Sequence, residues 1–273
     1  MNLEGGVYML GAILGDIIGS TYEHHNVKSK EFKLFTIWSR VTDDSVMTIA
    51  VAEAFLNAKA DGRLDDEAAV KERLVDALHK WGNKYPKAGY GGTFRRWLAS
   101  GDRRPYNSWG NGSAMRVSPA GWMGGDMDEV RKLARWSAEV THNHPEGVKG
   151  AEAIASAIYL ARTGASKEDI KEYVESEFGY DLDRTCDQIR PGYVFDVSCQ
   201  GSVPESIIAF LDGKDFEDVI RNAVSLGGDS DTIAAMAGSI AEAHFGIPMW
   251  LQGEALDYMD DEMALIWEAV AIK

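Results

Sequence analysis

Cysteine is nearly absent from this sequence, with only Cys186 and Cys199 among 273 residues. Two thiols cannot form a disulfide framework or a four-thiolate zinc site, which excludes disulfide-rich scaffolds and the common structural zinc modules. We therefore expect the chain to work in a reducing compartment.

A long, unbroken apolar run is also missing. Residues 1–6 contain no basic side chain, and Asp16 interrupts the apolar stretch of residues 7–18. A secretory signal peptide starts with basic residues, and a membrane-spanning helix needs about 20 consecutive apolar residues. We expect neither feature, and predict a cytoplasmic protein with no membrane partner.

Positive charge is scarce: 28 Lys and Arg residues face 43 Asp and Glu residues, which gives a formal net charge of -15. Such a surface repels nucleic acids and anionic membranes, which argues against either as the main partner. The excess carboxylates are either solvated at the surface or partly neutralised by bound cations. With 45% hydrophobic residues and no repeat or linker, residues 1–273 are predicted to form one globular, monomeric domain.

Helical patterns dominate what is present. Apolar residues recur at helical spacing between residues 70 and 81, and Gly82 predicts the end of that helix. No convincing strand is found, and residues 192–198 form at most one short extended piece. Other helix boundaries are predicted by capping boxes at Asp126 with Glu129 and at Ser166 with Asp169, a first-turn proline at Pro204, a stop at Gly213 and a start at Asp215. The fold class is all-α.

Two predicted helices, over residues 46–58 and 233–245, are apolar on nearly every side and belong in the middle of a bundle. Each is preceded by a cluster of oxygen-bearing side chains. These clusters are Thr42, Asp43, Asp44 and Ser45 before the first helix, and Asp229, Ser230, Asp231 and Thr232 before the second.

Ordinary helix capping would explain one such cluster, because Ser, Thr and Asp satisfy free backbone amides. Two clusters at buried helix starts are harder to explain, since neither contains the Lys or Arg that would offset several buried charges. Divalent cations are the natural compensation. Carboxylates and hydroxyls are hard donors that suit magnesium, manganese or calcium, and the number of carboxylates suits a two-metal site.

Two further segments carry candidate ligands. The glycine-rich segment of residues 108–116 has small residues that let backbone amides approach a phosphate, although a tight interhelical turn would look the same. Trp109 within it offers a flat face to a base or belongs to the core. Glu23 lies on a polar stretch where it either completes a metal shell or is an exposed loop residue.

The order of these motifs resembles the ADP-ribosylglycohydrolase family, nearly end to end. The resemblance rests on the opening segment 11–19, Thr42-Asp43-Asp44, the loop 110–116, Thr141 with His142, and the closing segment 227–232. It implies a single compact orthogonal helical bundle with a two-metal centre in a cleft, and hydrolysis of the bond between ADP-ribose and an acceptor. The substrate implied is a protein that carries ADP-ribose on a side chain such as arginine, or a small ADP-ribose conjugate.

The resemblance also implies roles for individual residues. Two Mg²⁺ or Mn²⁺ ions are bound by Thr42, Asp43, Asp44, Asp229, Asp231 and Thr232. The catalytic carboxylate is one of Glu23, Asp44 and Asp229. The ADP-ribose contacts are Ser108, Trp109, Gly110, Asn111, Gly112, Met115 and His142, with Trp109 where an adenine-stacking aromatic is found.

Two alternatives stay open at this stage. A non-catalytic, crystallin-like relative would keep the fold without the reaction, and a two-metal phosphoesterase would use the same ions on a nucleotide. The sequence does not identify the acceptor or the base.

Overall fold

The structure is a computed structural model that describes residues 9–271, with the side chains of residues 9–270. Within this part of the chain there are fourteen α-helices and no strand, and the only β-pairing is an isolated bridge between Gly110 and Ser198. The all-α prediction is confirmed. Residues 1–6, which the signal-peptide expectation concerned, lie outside the described residues.

Most helices follow one another with short connections, but residues 20–42 between α1 and α2 and residues 101–117 between α4 and α5 form long ones. They are α1 Leu10–Gly19, α2 Asp43–Ala60, α3 Glu67–Lys84, α4 Gly92–Ser100, α5 Ser118–Met123, α6 Met127–Glu139, α7 Pro145–Arg162, α8 Lys167–Phe178, α9 Cys186–Ile189, α10 Cys199–Asp212, α11 Phe216–Leu226, α12 Ser230–Phe245, α13 Met249–Tyr258 and α14 Asp261–Ala271. A 3-10 turn, Asn111–Ser113, lies between α4 and α5. None of the described helices is long and apolar enough to cross a membrane.

Helix α12 is the centre of the bundle. It is buried from Ser230 to Glu242 and contacts α1, α7, α10 and α11. Helix α2 is buried along most of its length, with Asn57 exposed near its end, and it contacts α3 and α14. Both predicted central helices are therefore interior elements, and their first turns lie in the interior.

Helices α1 and α12 touch through their backbones. A Cβ atom at Gly15 would lie 2.1 Å from the carbonyl oxygen of Ala234, and one at Gly19 would lie 2.4 Å from the Cα of Asp231. Both distances are far shorter than a carbon contact allows, so only glycine fits at these positions. The close approach brings Asp16, on α1, beside the first turn of α12.

Two predicted boundaries are wrong. Helix α3 continues past Gly82 to Lys84, because this glycine leaves room for Leu98 of α4 instead of ending the helix. Helix α10 begins at Cys199, capped by Ser198, so Pro204 lies inside the helix and not in its first turn.

The predicted start of α6 is confirmed, with Asp126 as its N-cap, but its capping box is incomplete. The Asp126 carboxylate accepts from the Glu129 N–H, but the Glu129 carboxylate accepts from Gly125, so the capping box is not reciprocal. The capping box of Ser166 with Asp169 and the start at Asp215 are confirmed.

Candidate metal centre and active site

The two acidic turns, residues 42–45 and 229–232, meet at the floor of a cleft. Thr42 is the N-cap of α2 and Asp229 is the N-cap of α12. Thr232 Oγ1 donates a hydrogen bond of 3.2 Å to Asp44 Oδ2, which joins the two turns directly. Residues about 190 positions apart in the chain therefore share one site.

Carboxylate oxygens gather there in two groups. Asp16, Asp44 and Asp231 each offer an oxygen within 4.8 Å of the others, and so do Glu23, Asp229 and Asp231. Because Asp231 belongs to both groups, the two groups adjoin each other. This arrangement suits two cations that share one carboxylate.

Asp16 is a site residue to which the sequence assigned no role, although it interrupts an apolar run and belongs to the opening segment 11–19. Its Oδ2 accepts from the backbone N–H groups of Thr42 at 2.9 Å and Ser45 at 3.0 Å, and its Oδ1 accepts from Thr42 Oγ1 at 2.6 Å. Asp16 therefore satisfies the first amides of α2 from a neighbouring helix. A carboxylate in the middle of a wholly buried apolar helix was the available signal.

The site carries more negative charge than its surroundings offset. Burial, and then repulsion from Asp16 and Asp229, raises the pKa of Asp43 to about 8. Burial raises the pKa of Asp229 to about 6. The pKa values of Asp44 and Asp231 are raised well above the ordinary value by burial and by neighbouring carboxylates.

The donor set fits a hard divalent cation. Asp44 Oδ1 is buried and has no hydrogen-bond partner among the described residues, which leaves one oxygen facing the site with nothing to satisfy it. The other donors are carboxylates and threonine hydroxyls, the ligands that Mg²⁺ and Mn²⁺ prefer. No sulfur or imidazole joins the two carboxylate groups in the described part of the chain.

Glu23 reaches the site from a loop that is tied to the second acidic turn. Asn26 Oδ1 accepts from the Gly228 N–H at 2.8 Å, and Asn26 Nδ2 donates to the carbonyl oxygens of Gly228 at 3.1 Å and Glu23 at 2.9 Å. Gly227 and Gly228 both have positive φ, which favours glycine immediately before Asp229. The Glu23 side chain is 22% exposed, so it remains reachable from solvent.

A cavity of about 420 Å³ opens above this floor. Asn111 connects the wall to the floor, because its Nδ2 donates a 2.7 Å hydrogen bond to Asp229 Oδ2. Of the predicted site residues, the cavity is lined by Glu23, Asp43, Asp44, Ser108, Gly110, Asn111, Gly112, Met115, His142, Asp229, Asp231 and Thr232.

Trp109 does not line the cavity, and its side chain is 48% exposed. Ser108 and Gly110 on either side of it do line the cavity, and consecutive residues of an extended segment face opposite sides. The predicted contact between Trp109 and a base therefore has no support from this cavity. The aromatic and basic residues that line it and that the sequence reasoning left out include Tyr106, Arg116 and Phe195.

The fold and the site agree with a comparison against known families. The model of the ADP-ribosylglycohydrolase family matches residues 7–268. The chain belongs to that family. Its members are glycosidase-type hydrolases, and the resemblance stated from the motifs is confirmed.

Individual relatives match this chain at low identity but over most of its length. It is similar to the ADP-ribosylhydrolase ARH3 of Homo sapiens, at 29% identity over 88% of this chain and 84% of the relative. It is also similar to the ADP-ribosylarginine hydrolase Tri1 of Pseudomonas putida (strain GB-1), at 26% identity over 89% of this chain and 72% of the relative. A solved structure described as an ADP-ribosylglycohydrolase-related protein complex matches with a TM-score of 0.70 at 25% identity, covering 96% of this chain and 95% of that one.

Proposed function

We propose that this ADP-ribosylglycohydrolase uses two Mg²⁺ or Mn²⁺ ions to hydrolyse the glycosidic bond between ADP-ribose and an acceptor, which releases free ADP-ribose. One observation carries the proposal: two carboxylate groups that share Asp231 form the floor of an open cavity. The relatives named ADP-ribosylhydrolase and ADP-ribosylarginine hydrolase support the choice of substrate.

The residues that would hold the ions are those of the two acidic turns. They are Thr42, Asp43, Asp44, Asp229, Asp231 and Thr232. Divalent cations bound there would supply positive charge that orients the hydroxyls of the distal ribose and makes an attacking water more acidic. Asp16 keeps the Thr42 hydroxyl proton turned towards itself, and since one lone pair of Thr42 Oγ1 accepts from the Asp44 N–H, the other is left for a ligand.

Glu23 is our choice for the general base among Glu23, Asp44 and Asp229. Asp44 accepts from Thr232, and Asp229 accepts from Asn111, so both are already oriented by the protein. Glu23 lines the cavity, and its Oε1 lies 3.8 Å from Nδ1 of the exposed His24, which is longer than a hydrogen bond. It is therefore free to take a proton from water. As the bond to the leaving group lengthens, the surrounding carboxylates stabilise the positive charge on the sugar.

The wall of the cavity would bind the rest of ADP-ribose. Ser108, Gly110, Asn111, Gly112, Met115 and His142 offer backbone groups, hydroxyls and an imidazole to the diphosphate and riboses. Phe195, which lines the cavity and is 52% exposed, offers an aromatic face at its mouth.

We propose a modified arginine side chain as the acceptor, acted on by a monomeric, cytoplasmic enzyme whose single domain spans residues 1–273. The test incubates ADP-ribosyl-arginine and ADP-ribosyl-serine peptides side by side with Mg²⁺ or with EDTA. We expect free ADP-ribose from the arginine peptide with Mg²⁺ and none with EDTA. Release of AMP or phosphate would indicate a phosphoesterase, and no turnover together with no cation binding would indicate a non-catalytic relative.

A further inference from the structure

A buried arginine of the cavity wall has no carboxylate partner among the described residues. Arg116 is 1% exposed, and its Nη2 donates to Ser137 O and to Thr141 Oγ1, both at 2.7 Å. No carboxylate within residues 9–270 pairs with it. A guanidinium has only donors, so the direction of the hydrogen bond to Thr141 is fixed: Thr141 accepts.

This direction limits the other hydrogen bonds that the Thr141 hydroxyl can make. Its oxygen lies 2.8 Å from His142 Nδ1. The phenol of Tyr106 also interacts with Thr141. After accepting from Arg116 the Thr141 hydroxyl still has its own proton to donate, and we infer that it donates this proton to His142 Nδ1, the ring nitrogen within hydrogen-bond distance. A neutral imidazole that accepts at Nδ1 carries its proton on Nε2.

The Nε2 atom of His142 faces the glycine-rich segment of residues 108–116. A Cβ atom at Gly112 would lie 3.1 Å from Nε2, and one at Gly110 would lie 3.7 Å from it, so both glycines leave room around this nitrogen. His142 lines the cavity, and within the described part of the chain Nε2 has no hydrogen-bond partner. Burial and the charge of Arg116 keep the pKa of His142 well below its usual value, so the ring is neutral.

We propose that Thr141, held by Arg116, is a positioning residue that fixes His142 as the Nε2–H tautomer, so that His142 donates a hydrogen bond to a phosphate oxygen of the ligand. The opposite tautomer would turn a lone pair towards that anion and repel it. The choice of ligand rests on the proposed function; the tautomer does not.

The first experiment reads the tautomer in the full-length, ligand-free protein by long-range ¹H–¹⁵N NMR with ¹⁵N-labelled histidine. His142→Gln identifies the His142 signals by their loss. We expect a protonated Nε2 and an unprotonated Nδ1 in the wild type. A protonated Nδ1 in the wild type would overturn the proposal without any need for a variant.

Matched variants separate Thr141 from its surroundings. Thr141→Ser keeps the hydroxyl and should keep the Nε2–H tautomer, whereas Thr141→Val should lose the preference. Tyr106→Phe removes the neighbouring phenol and should leave the tautomer unchanged. A shift to the other tautomer in Tyr106→Phe, or an unchanged tautomer in a folded Thr141→Val protein, would contradict the role given to Thr141.

The second experiment measures binding of ADP-ribose and of adenosine by calorimetry. Thr141→Val should weaken ADP-ribose binding roughly fivefold to tenfold, the effect of one lost hydrogen bond, and Thr141→Ser should restore it. Adenosine has no phosphate, so its affinity should not change. Equal losses for both ligands would contradict a phosphate contact.

Failure of the proposed function would look different. In that case the wild type would neither bind nor release ADP-ribose, while the NMR spectrum would still show the tautomer. A wild type that releases ADP-ribose but shows a protonated Nδ1 would instead refute the proposal for Thr141 alone.

Discussion

The N-cap residues of α3, α6, α11 and α12 are all aspartates. The caps of α3, α6 and α11 make different contacts from the cap of α12. Asp66, Asp126 and Asp215 are partly or fully exposed, and each accepts a hydrogen bond from a backbone N–H of its own helix. Asp229 is buried and makes no such bond, and its Oδ2 accepts from Asn111 instead.

At the start of α2, too, the residues that cap the helix differ from the carboxylates that face the site. Thr42 and Asp16 satisfy its first amides, so Asp43 and Asp44 are not needed as caps. One oxygen of Asp44 has no partner within the described residues. At the surface caps a carboxylate stabilises a helix, whereas at the site other groups do the capping and the carboxylates remain available to cations.

Removing the shared carboxylate should have the largest effect. Asp231→Ala takes a ligand from both carboxylate groups, so we expect hydrolysis of ADP-ribosyl peptides to fall by at least about 100-fold. Without cations the variant should be no less stable than the wild type, because it loses a buried and unpaired charge. Steady-state assays with Mg²⁺ and denaturant unfolding with EDTA measure the two effects. Wild-type turnover by Asp231→Ala would remove this residue from the centre.

Glu23→Gln should separate cation binding from the chemistry. The amide keeps the shape of the side chain but cannot take a proton, so we expect turnover to fall by about 100-fold or more. Cation affinity should stay close to that of the wild type, because the two acidic turns are intact and the amide oxygen of Gln can replace the Glu23 oxygen in the group with Asp229 and Asp231. Metal titration and kcat measurements on the same preparation test this. An unchanged kcat would assign the base to Asp44 or Asp229.

The stability of the cation-free protein should fall as pH rises. The pKa values of Asp43, about 8, and Asp229, about 6, lie above the ordinary value of 3.8. Between pH 4 and 8 the folded state therefore holds protons that the unfolded chain releases, and deprotonation destabilises the fold. Mg²⁺ binds the deprotonated groups, so its stabilising effect should grow over the same range. Thermal unfolding from pH 5 to 9 measures how the melting temperature changes with pH, once with EDTA and once with Mg²⁺. The same pH dependence in both conditions would contradict the account.

The smallest effect is expected at a surface cap. Asp215→Ala removes a hydrogen bond to the Asp218 N–H and should lower the free energy of unfolding by about 1 kcal/mol. Turnover and cation affinity should not change, because Asp215 does not line the cavity. Denaturant unfolding and the peptide assay check both points. A loss of activity without unfolding would show that the two kinds of acidic helix start are not distinct.

The floor of the site was predictable because local sequence patterns encode it. Each acidic turn directly precedes a helix that is apolar on all sides, so the burial of Asp44 and Asp231 follows from the chain around them. Asp16 could not be assigned in this way, since its partners Thr42 and Ser45 lie 26 and 29 residues away. The four-residue spacing of Gly11, Gly15 and Gly19 was a readable sign of close helix packing.

The wall of the cavity was less predictable because long-range backbone pairing shapes it. Gly110 pairs with Ser198, and the Asn111 N–H donates to Val197 O at 2.8 Å. This pairing brings the segment around Phe195 beside residues 108–116, and no spacing in the sequence indicates it. Trp109 belongs to this paired segment, but it does not line the cavity.

Titration of metal-stripped protein with Mn²⁺ tests the central claim most directly, with Asp231→Ala and Asp215→Ala titrated in parallel. We predict two Mn²⁺ ions per chain for the wild type and for Asp215→Ala, and weakened binding of both ions for Asp231→Ala, because this residue has oxygens in both groups. A wild type that binds no Mn²⁺, or an Asp231→Ala protein that binds both ions unchanged, would contradict the account.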